Sequence, residues 1–412
     1  MLSYRRGQLF IENVDPELLC RSFGTPLFVY SKQQLLVNYQ TFKAAFSGVA
    51  QLVCYAVKAN ANSSILKTLA DAGAGADITS GGELYRALRQ GFAPQKIVYA
   101  GIGKTAEEIE YALKENILIF NVESQEELEQ IDRVAGRLNK QAQIAFRINP
   151  DVDPHTHHYI TTGKTGSKFG VPYAKAMEAY ATARRLKNVK IAGIHCHIGS
   201  QITEVEPFRL AAMKISELIK RLEAEGIRLQ YVNLGGGLGI TYDKETPPTP
   251  QSMSKAVLPV FKGFKGTFIF EPGRYIVGNT GVLFVKIVYR KKSGGKNFLI
   301  VDGGMNDLIR PTLYEAYHDI VSLKENAGDK VKVDIVGPIC ETGDFLGKER
   351  MLPWLAQGEY LAVKCAGAYG MAMSSQYNSR LRAAEVMIEG KEFYIIRRRE
   401  KYADLVSNEV IA

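Results

Sequence analysis

From about residue 50 to residue 275, short apolar runs alternate with longer stretches whose apolar positions recur at helical spacing. Eight runs stand out: Leu52–Val57, Ala76–Thr79, Ile97–Ala100, Leu118–Val122, Ile144–Ile148, Ile191–His197, Tyr231–Leu234 and Phe268–Phe270. Runs this short, rich in β-branched residues and separated by helical patterns, read as buried parallel strands. Ser80-Gly-Gly-Glu83, Thr105-Ala-Glu-Glu108 and Ser124-Gln-Glu-Glu127 each follow a run and match a capping box, in which hydroxyl and carboxylate satisfy free backbone amides. Gly91 and Asn116 are natural helix stops. Eight strand–helix units in succession predict a (β/α)8 barrel rather than a doubly wound sheet.

After about residue 280 the period changes. Gly281–Tyr289, Asn297–Val301, Val331–Val336, Tyr360–Cys365, Glu385–Ile388 and Glu392–Arg398 read as strands with few helices between them, and Gly390 sits in a hairpin turn. An isolated strand-like piece, Gln8–Glu12, precedes the barrel and is expected to pair with this second, mostly β domain. The expected division is therefore 1–25, an N-terminal segment packing with the C-terminal domain; 26–278, the barrel; and 279–412, the β domain. Glu245–Ser254, with three prolines, is expected to be a loop within the barrel half.

Composition narrows the function. A chain of 412 residues with 46% hydrophobic and 23% charged residues has the balance of a globular protein of two domains. No stretch approaches the roughly 18 apolar residues of a membrane span, so no membrane partner is expected. The start, MLSYRRGQLF, lacks the apolar run of a signal peptide, and a cytoplasmic location is expected. The net charge is +9, but the dense basic run is Arg397-Arg398-Arg399 alone, without interleaved aromatics. That pattern suits an anionic ligand better than nucleic acid. Five cysteines, at 20, 54, 196, 340 and 365, form no C-x-x-C pair, which argues against a disulfide framework or structural zinc and leaves a catalytic thiol open.

Active-site groups of such a barrel lie at the C-terminal ends of its strands. Those ends carry Lys58, Asp77 and Ser80, Arg147 and Asn149, His195 to Ser200, Gly235-Gly236-Gly237, and Glu271-Pro272-Gly273-Arg274. Lys58 follows an apolar run, so its amine is expected in a largely dry site, where a lysine becomes a nucleophile able to form a Schiff base. A lysine snorkelling at the rim is the plain alternative. The glycine run suits a phosphate, because backbone N–H groups can approach one anion, although a tight turn alone would also explain it. Ser200 and Gly273 top the neighbouring strands and would complete a phosphate cup. Glu271 could face a pyridine nitrogen or simply pair with Arg274. His195 and His197 are expected on one inward face of strand six. An H-x-H pair also occurs in metal hydrolases, but no matching His/Asp set appears on the other strand ends, so no metal is expected and stacking on an aromatic cofactor is preferred. His155, His157 and His158 read as loop contacts.

In this setting the chain resembles the diaminopimelate decarboxylase family, within the alanine-racemase-like barrel group of pyridoxal-phosphate enzymes. The matching stretches run from about Thr25 to Val406: CYAVKAN, ADITSGGEL, FRINPDVDPHTHHYITTGKTGSKFG, HCHIGSQI, NLGGGLGI, EPGRYIVG, LIVDGGMNDLIRPTLY, GPICETGDFLG and GAYGMAMSSQYN. Thr342 stands where serine is commoner in the cysteine motif, a conservative change.

The resemblance implies pyridoxal 5'-phosphate as cofactor, carried by Lys58 through a Schiff base. His197 would stack on the pyridine ring and Glu271 would bind its nitrogen. Ser200, Gly236, Gly237, Gly273 and Arg274 would cradle the phosphate, and Tyr369 would close the cofactor site. Arg274, Arg310 and Tyr314 would hold the substrate's distal carboxylate, Glu341 its distal ammonium, and Cys340 would donate the proton that replaces the lost carboxylate. A thiol with an ordinary pKa near 8.5 is mainly protonated at neutral pH and can do so. The resemblance also implies a homodimer whose sites borrow Cys340 and Glu341 from the second subunit. The implied reaction turns meso-2,6-diaminopimelate into L-lysine and carbon dioxide at the D-centre, the last step of lysine biosynthesis. A relative acting on ornithine, arginine or carboxynorspermidine is the alternative. Those substrates lack the distal amino-acid group that Arg310 and Glu341 would grip.

Overall fold

The computed structural model describes residues 1–153, 168–325 and 329–411. His155, His157 and His158 lie outside the described residues. The chain forms two compact units: Asn38–Ile240 with Thr246–Tyr275, and Met1–Val37 with Thr241–Glu245 and Ile276–Ala412.

The first unit is a closed barrel of eight parallel strands: Gln51–Ala56, Gly75–Ile78, Ile97–Tyr99, Ile119–Val122, Ala142–Asn149, Val189–His195, Tyr231–Asn233 and Thr267–Phe270. Each pairs with the next, and strand eight returns to strand one through Phe268 against Gln51, Ile269 against Leu52 and Phe270 against Val53. A cluster of Cys54, Val98, Leu118, Ile119, Ala145, Ala192 and Ile269 lies in its core. Small and mid-sized side chains allow the strands to close around a solid interior.

The three capping sequences start helices, but the full reciprocal box forms only at Thr105, where Glu108 returns a bond to the Thr105 N–H. Ser80 and Ser124 accept from the Glu83 and Glu127 N–H groups. The carboxylates of Glu83 and Glu127 instead take the N–H of Thr79 and Glu123, one residue further back. Gly91 and Asn116 end their helices at positive φ, as expected. Glu245–Ser254 is a loop only to Thr249, whose hydroxyl caps a helix over Pro250–Val257.

The second unit is built on the long strand Gly281–Ser293, which pairs antiparallel with Leu27–Ser31, Tyr360–Val363 and Lys296–Val301. Lys330–Val336 and Phe345–Pro353 extend the sheet on one side, Ala384–Glu389 and Glu392–Arg397 on the other, with Ile320–Ser322 against Tyr360–Val363. Leu27–Ser31 is buried throughout and runs in this sheet, so the boundaries expected at 26 and 278 fall at 37/38 and 275/276. Gln8–Ile11 forms a hairpin with Leu2–Arg5, bridges to Lys324, and buries Leu9 and Ile11 in the core of the unit with Leu27, Val282 and Phe284, as expected of a segment that packs with this domain. Phe345–Pro353 escaped the sequence reading because Gly347, Lys348, Glu349 and Arg350 interrupt its apolar alternation.

Candidate active site

The C-terminal ends of the barrel strands gather Lys58, His197, Ser200, Gly236, Gly237, Glu271, Gly273 and Arg274. Lys58 sits in a single helical turn, Val57–Ala59, directly after strand one. Its Nζ lies 2.7 Å from Asp77 Oδ2. Asp77 is fully buried on strand two, whereas the Lys58 side chain is 39% exposed. The amine is therefore not in the dry setting expected from its apolar run. It reaches from an open rim onto a buried anion.

Glu271, just past strand eight, is held from three strands. Asn121 Nδ2 of strand four donates to its Oε1 at 3.1 Å and Asn233 Nδ2 of strand seven at 2.5 Å. His195 Nε2, at the end of strand six, stands 3.3 Å from Oε2. Burial would raise the Glu271 pKa, but His195, Lys58 and the Asn233 amide outweigh it and hold the carboxyl well below the usual carboxylate range. Asp77 has Lys58 on one oxygen, while its other oxygen is buried without a hydrogen-bond partner among the described residues. Burial and the nearby Glu271 charge push it up to about 7, against the pull of Lys58. Two carboxyls in one site thus differ in character because their partners differ: Glu271 is the fixed anion and Asp77 the one that takes up a proton first.

Strand six ends at His195, so His197 lies just beyond it. Its Nδ1 accepts the Gly236 N–H at 3.1 Å. Burial, with Arg147 and Lys58, drives its pKa well below the ordinary value, so the ring is neutral. The glycine turn is pressed against its neighbours. A Cβ on Gly235 would stand 2.5 Å from the Cys196 carbonyl, one on Gly237 would stand 2.5 Å from the Gly199 carbonyl, and one on Gly236 would collide with the Glu271 carbonyl. Gly235 and Gly237 also take positive φ. Beside the turn, Arg274 Nη2 donates to Ser200 Oγ at 3.1 Å. Gly273 packs on Ala56 and Ala59, where a Cβ would come within 3.1 Å of both methyls. Behind the site, Arg147 pairs with buried Glu123 at 3.1 Å.

The β unit carries the other expected residues. Arg310 is buried and opens the short helix Arg310–Tyr314; Tyr314 and Tyr369 are half-buried; Cys340 and Glu341 are exposed. Cys340 Sγ lies 3.1 Å from Asn378 Nδ2, and Glu341 accepts from the Tyr377 hydroxyl. Burial pushes the thiols of Cys20 and Cys54 far up, Cys196 to about 12 and Cys365 to about 11. Cys340 is the exposed thiol. Asn121 and Asn233 were absent from the sequence reading. Their trace there is a lone amide inside an otherwise apolar strand.

Residues 32–278 match the family model described as "Pyridoxal-dependent decarboxylase, pyridoxal binding domain". The chain is 50% identical to diaminopimelate decarboxylase of Aquifex aeolicus over 408 residues, 98% of this chain and 96% of that protein. It superposes on diaminopimelate decarboxylase of M. jannaschii in complex with L-lysine with TM-score 0.96 and 40% identity, over 100% of this chain and 98% of that one. For the Helicobacter pylori enzyme with L-lysine, the TM-score is 0.93 and the identity 41%, over 96% and 99%. The barrel-end residues fit pyridoxal phosphate: a primary amine for its aldehyde, a buried anion for its ring nitrogen, and a neutral imidazole for its face. The compressed glycine turn, with Ser200 and Arg274, suits its phosphate.

Proposed function

The chain belongs to the diaminopimelate decarboxylase family, and we propose that it removes the D-centre carboxylate of meso-2,6-diaminopimelate to give L-lysine and carbon dioxide. The observation that carries this reading is the group of Lys58, Asp77 and Glu271 at one end of the barrel, an amine reaching a buried carboxyl beside a second carboxyl held ionised. When bound, pyridoxal phosphate supplies the electron sink for the pair left by the departing carboxylate.

Lys58 would hold the cofactor's aldehyde carbon, with Asp77 fixing the amine. Glu271 would keep a proton on the ring nitrogen, and its ionised state suits that task. His197, being neutral, can lie against the ring without adding a charge. Ser200, Gly236, Gly237, Gly273 and Arg274 would bind the phosphate, and Tyr369 would cover the site. Arg274, Arg310 and Tyr314 would hold the distal carboxylate and Glu341 the distal ammonium. Cys340 would pass its S–H proton to the carbon that lost carbon dioxide. Its exposure in one chain, with that of Glu341, supports a homodimer in which each subunit lends these two residues to the other's site. A cytoplasmic location goes with five cysteines that stand as free thiols.

The test is to incubate the purified protein with pyridoxal phosphate and meso-diaminopimelate. Equal amounts of lysine and carbon dioxide are expected, with little product from ornithine or arginine. Comparable turnover of those substrates, or none of diaminopimelate, would overturn the proposal.

A further inference from the structure

Arg310 is gripped from two sides within the β unit. Its Nη1 lies 2.8 Å from His318 Nε2, and its guanidinium carbon lies 4.6 Å from the centroid of the Tyr242 ring. His318, itself 0% exposed, places Nδ1 2.8 Å from the Lys364 carbonyl oxygen and packs edge-on to Tyr242 at 5.2 Å. The sheet fixes this arrangement. Ile320–Ser322 pairs antiparallel with Tyr360–Val363, and the Lys364 N–H continues the ladder to the Asp319 carbonyl at 2.8 Å. That register sets the Lys364 carbonyl beside His318. Tyr242 comes from Thr241–Glu245, a segment that clusters with this unit, and its N–H is tied to Glu245 at 2.7 Å.

The chemistry leaves one protonation pattern. A carbonyl oxygen can only accept, so Nδ1 carries the proton; a guanidinium can only donate, so Nε2 is the bare acceptor. An imidazolium would oppose two N–H groups and two positive charges at this distance. His318 is thus a neutral acceptor that fixes one edge of the guanidinium, while the Tyr242 face holds the plane.

We infer that His318, with Tyr242, is a positioning residue for substrate selection, holding the Arg310 fork in the one orientation that can grip the distal carboxylate. The inference rests on the reading of Arg310 given above. An untethered arginine would keep its charge and lose the fixed fork that bidentate recognition requires.

The experiment uses the pyridoxal-phosphate-loaded enzyme and two competitors of diaminopimelate: L-lysine, which bears the distal carboxylate, and 1,5-diaminopentane, which lacks it. His318→Phe keeps the ring volume without the acceptor, and His318→Gln offers Arg310 a carbonyl oxygen instead. For His318→Phe, KM for diaminopimelate and Ki for L-lysine should both rise about tenfold to a hundredfold, the range for losing a hydrogen bond to a charged group. Ki for 1,5-diaminopentane should stay within about twofold, and His318→Gln should recover most of the loss. Equal weakening of both competitors would mark a merely structural role and overturn the inference. Tyr242→Leu gives the same selective pattern if His318→Phe fails to fold, and its absence there counts equally against it. Arg310→Lys separates the two claims. If that variant loses L-lysine selectively but the His318 variants do not, this inference alone falls. If it does not, or if the enzyme is inactive on diaminopimelate, the reading of Arg310 falls and takes the inference with it.

Discussion

Replacing Asp77 with asparagine should stabilise the protein and impair it at once. Asp77 is fully buried, and its site raises its pKa from an ordinary 3.8 to about 7. Folding therefore disfavours its charged form. Well below pH 3.8 the carboxyl is protonated in both folded and unfolded chains and has no effect. As pH rises, the unfolded chain loses the proton first, and a penalty on the fold grows until it is complete above pH 7. At about 1.4 kcal/mol per pH unit, the penalty is about 4 kcal/mol at pH 8, where it is complete, and about 2 kcal/mol at pH 5. Asp77→Asn keeps the shape and an oxygen for Lys58 but cannot ionise. It should thus gain about 2 kcal/mol more at pH 8 than at pH 5. Denaturant unfolding of the cofactor-free protein at both pH values measures this. Decarboxylation by the loaded variant should fall, because Lys58 loses the anion that fixes its amine. Burying a charge beneath the reactive amine would then be a case of stability given up for function. An equal gain at both pH values, or a loss at pH 8, would refute the reasoning.

Arg310→Lys should weaken use of diaminopimelate far more than cofactor binding, since lysine cannot reproduce a bidentate contact; KM and cofactor titrations compared side by side decide it. Gly236→Ala, whose new methyl would collide with the Glu271 carbonyl, should lower pyridoxal-phosphate affinity by tenfold or more in a spectral titration, while Gly91→Ala on the open surface should not. Subunit exchange between the inactive variants Lys58→Ala and Cys340→Ala should restore roughly a quarter of normal activity, because half the dimers are mixed and each mixed dimer has one intact site. No recovery would mean that both groups serve the site from one chain.

Much of the barrel could be read from hydrophobic periodicity. All eight apolar runs became strands, and they read as continuous runs rather than alternations because most of their positions on both faces are buried. What periodicity could not supply was partnership. Leu27–Ser31 is as apolar as a barrel strand, and only its pairing, antiparallel with Gly281–Ser293 and parallel with Ala384–Glu389, puts it in the β sheet. The apolar lead-in to Lys58 suggested a dry amine, yet the turn at Val57–Ala59 carries the side chain to an exposed rim, and the dry group is Asp77. His318 gave no hint in sequence, because its meaning depends on a carbonyl 46 residues away. The glycine turn and the H-x-H pair were visible as types. Their closeness to Glu271 follows from strands six, seven and eight lying side by side.

The most direct test of the account is where the cofactor attaches. The enzyme is loaded with pyridoxal phosphate, reduced with borohydride, digested and mapped. A pyridoxyl group is expected on Lys58, in the peptide bearing Tyr55-Ala56-Val57-Lys58-Ala59-Asn60, and no covalent label in Lys58→Ala. Label on another lysine, or a yellow active preparation with no label on Lys58, would contradict it.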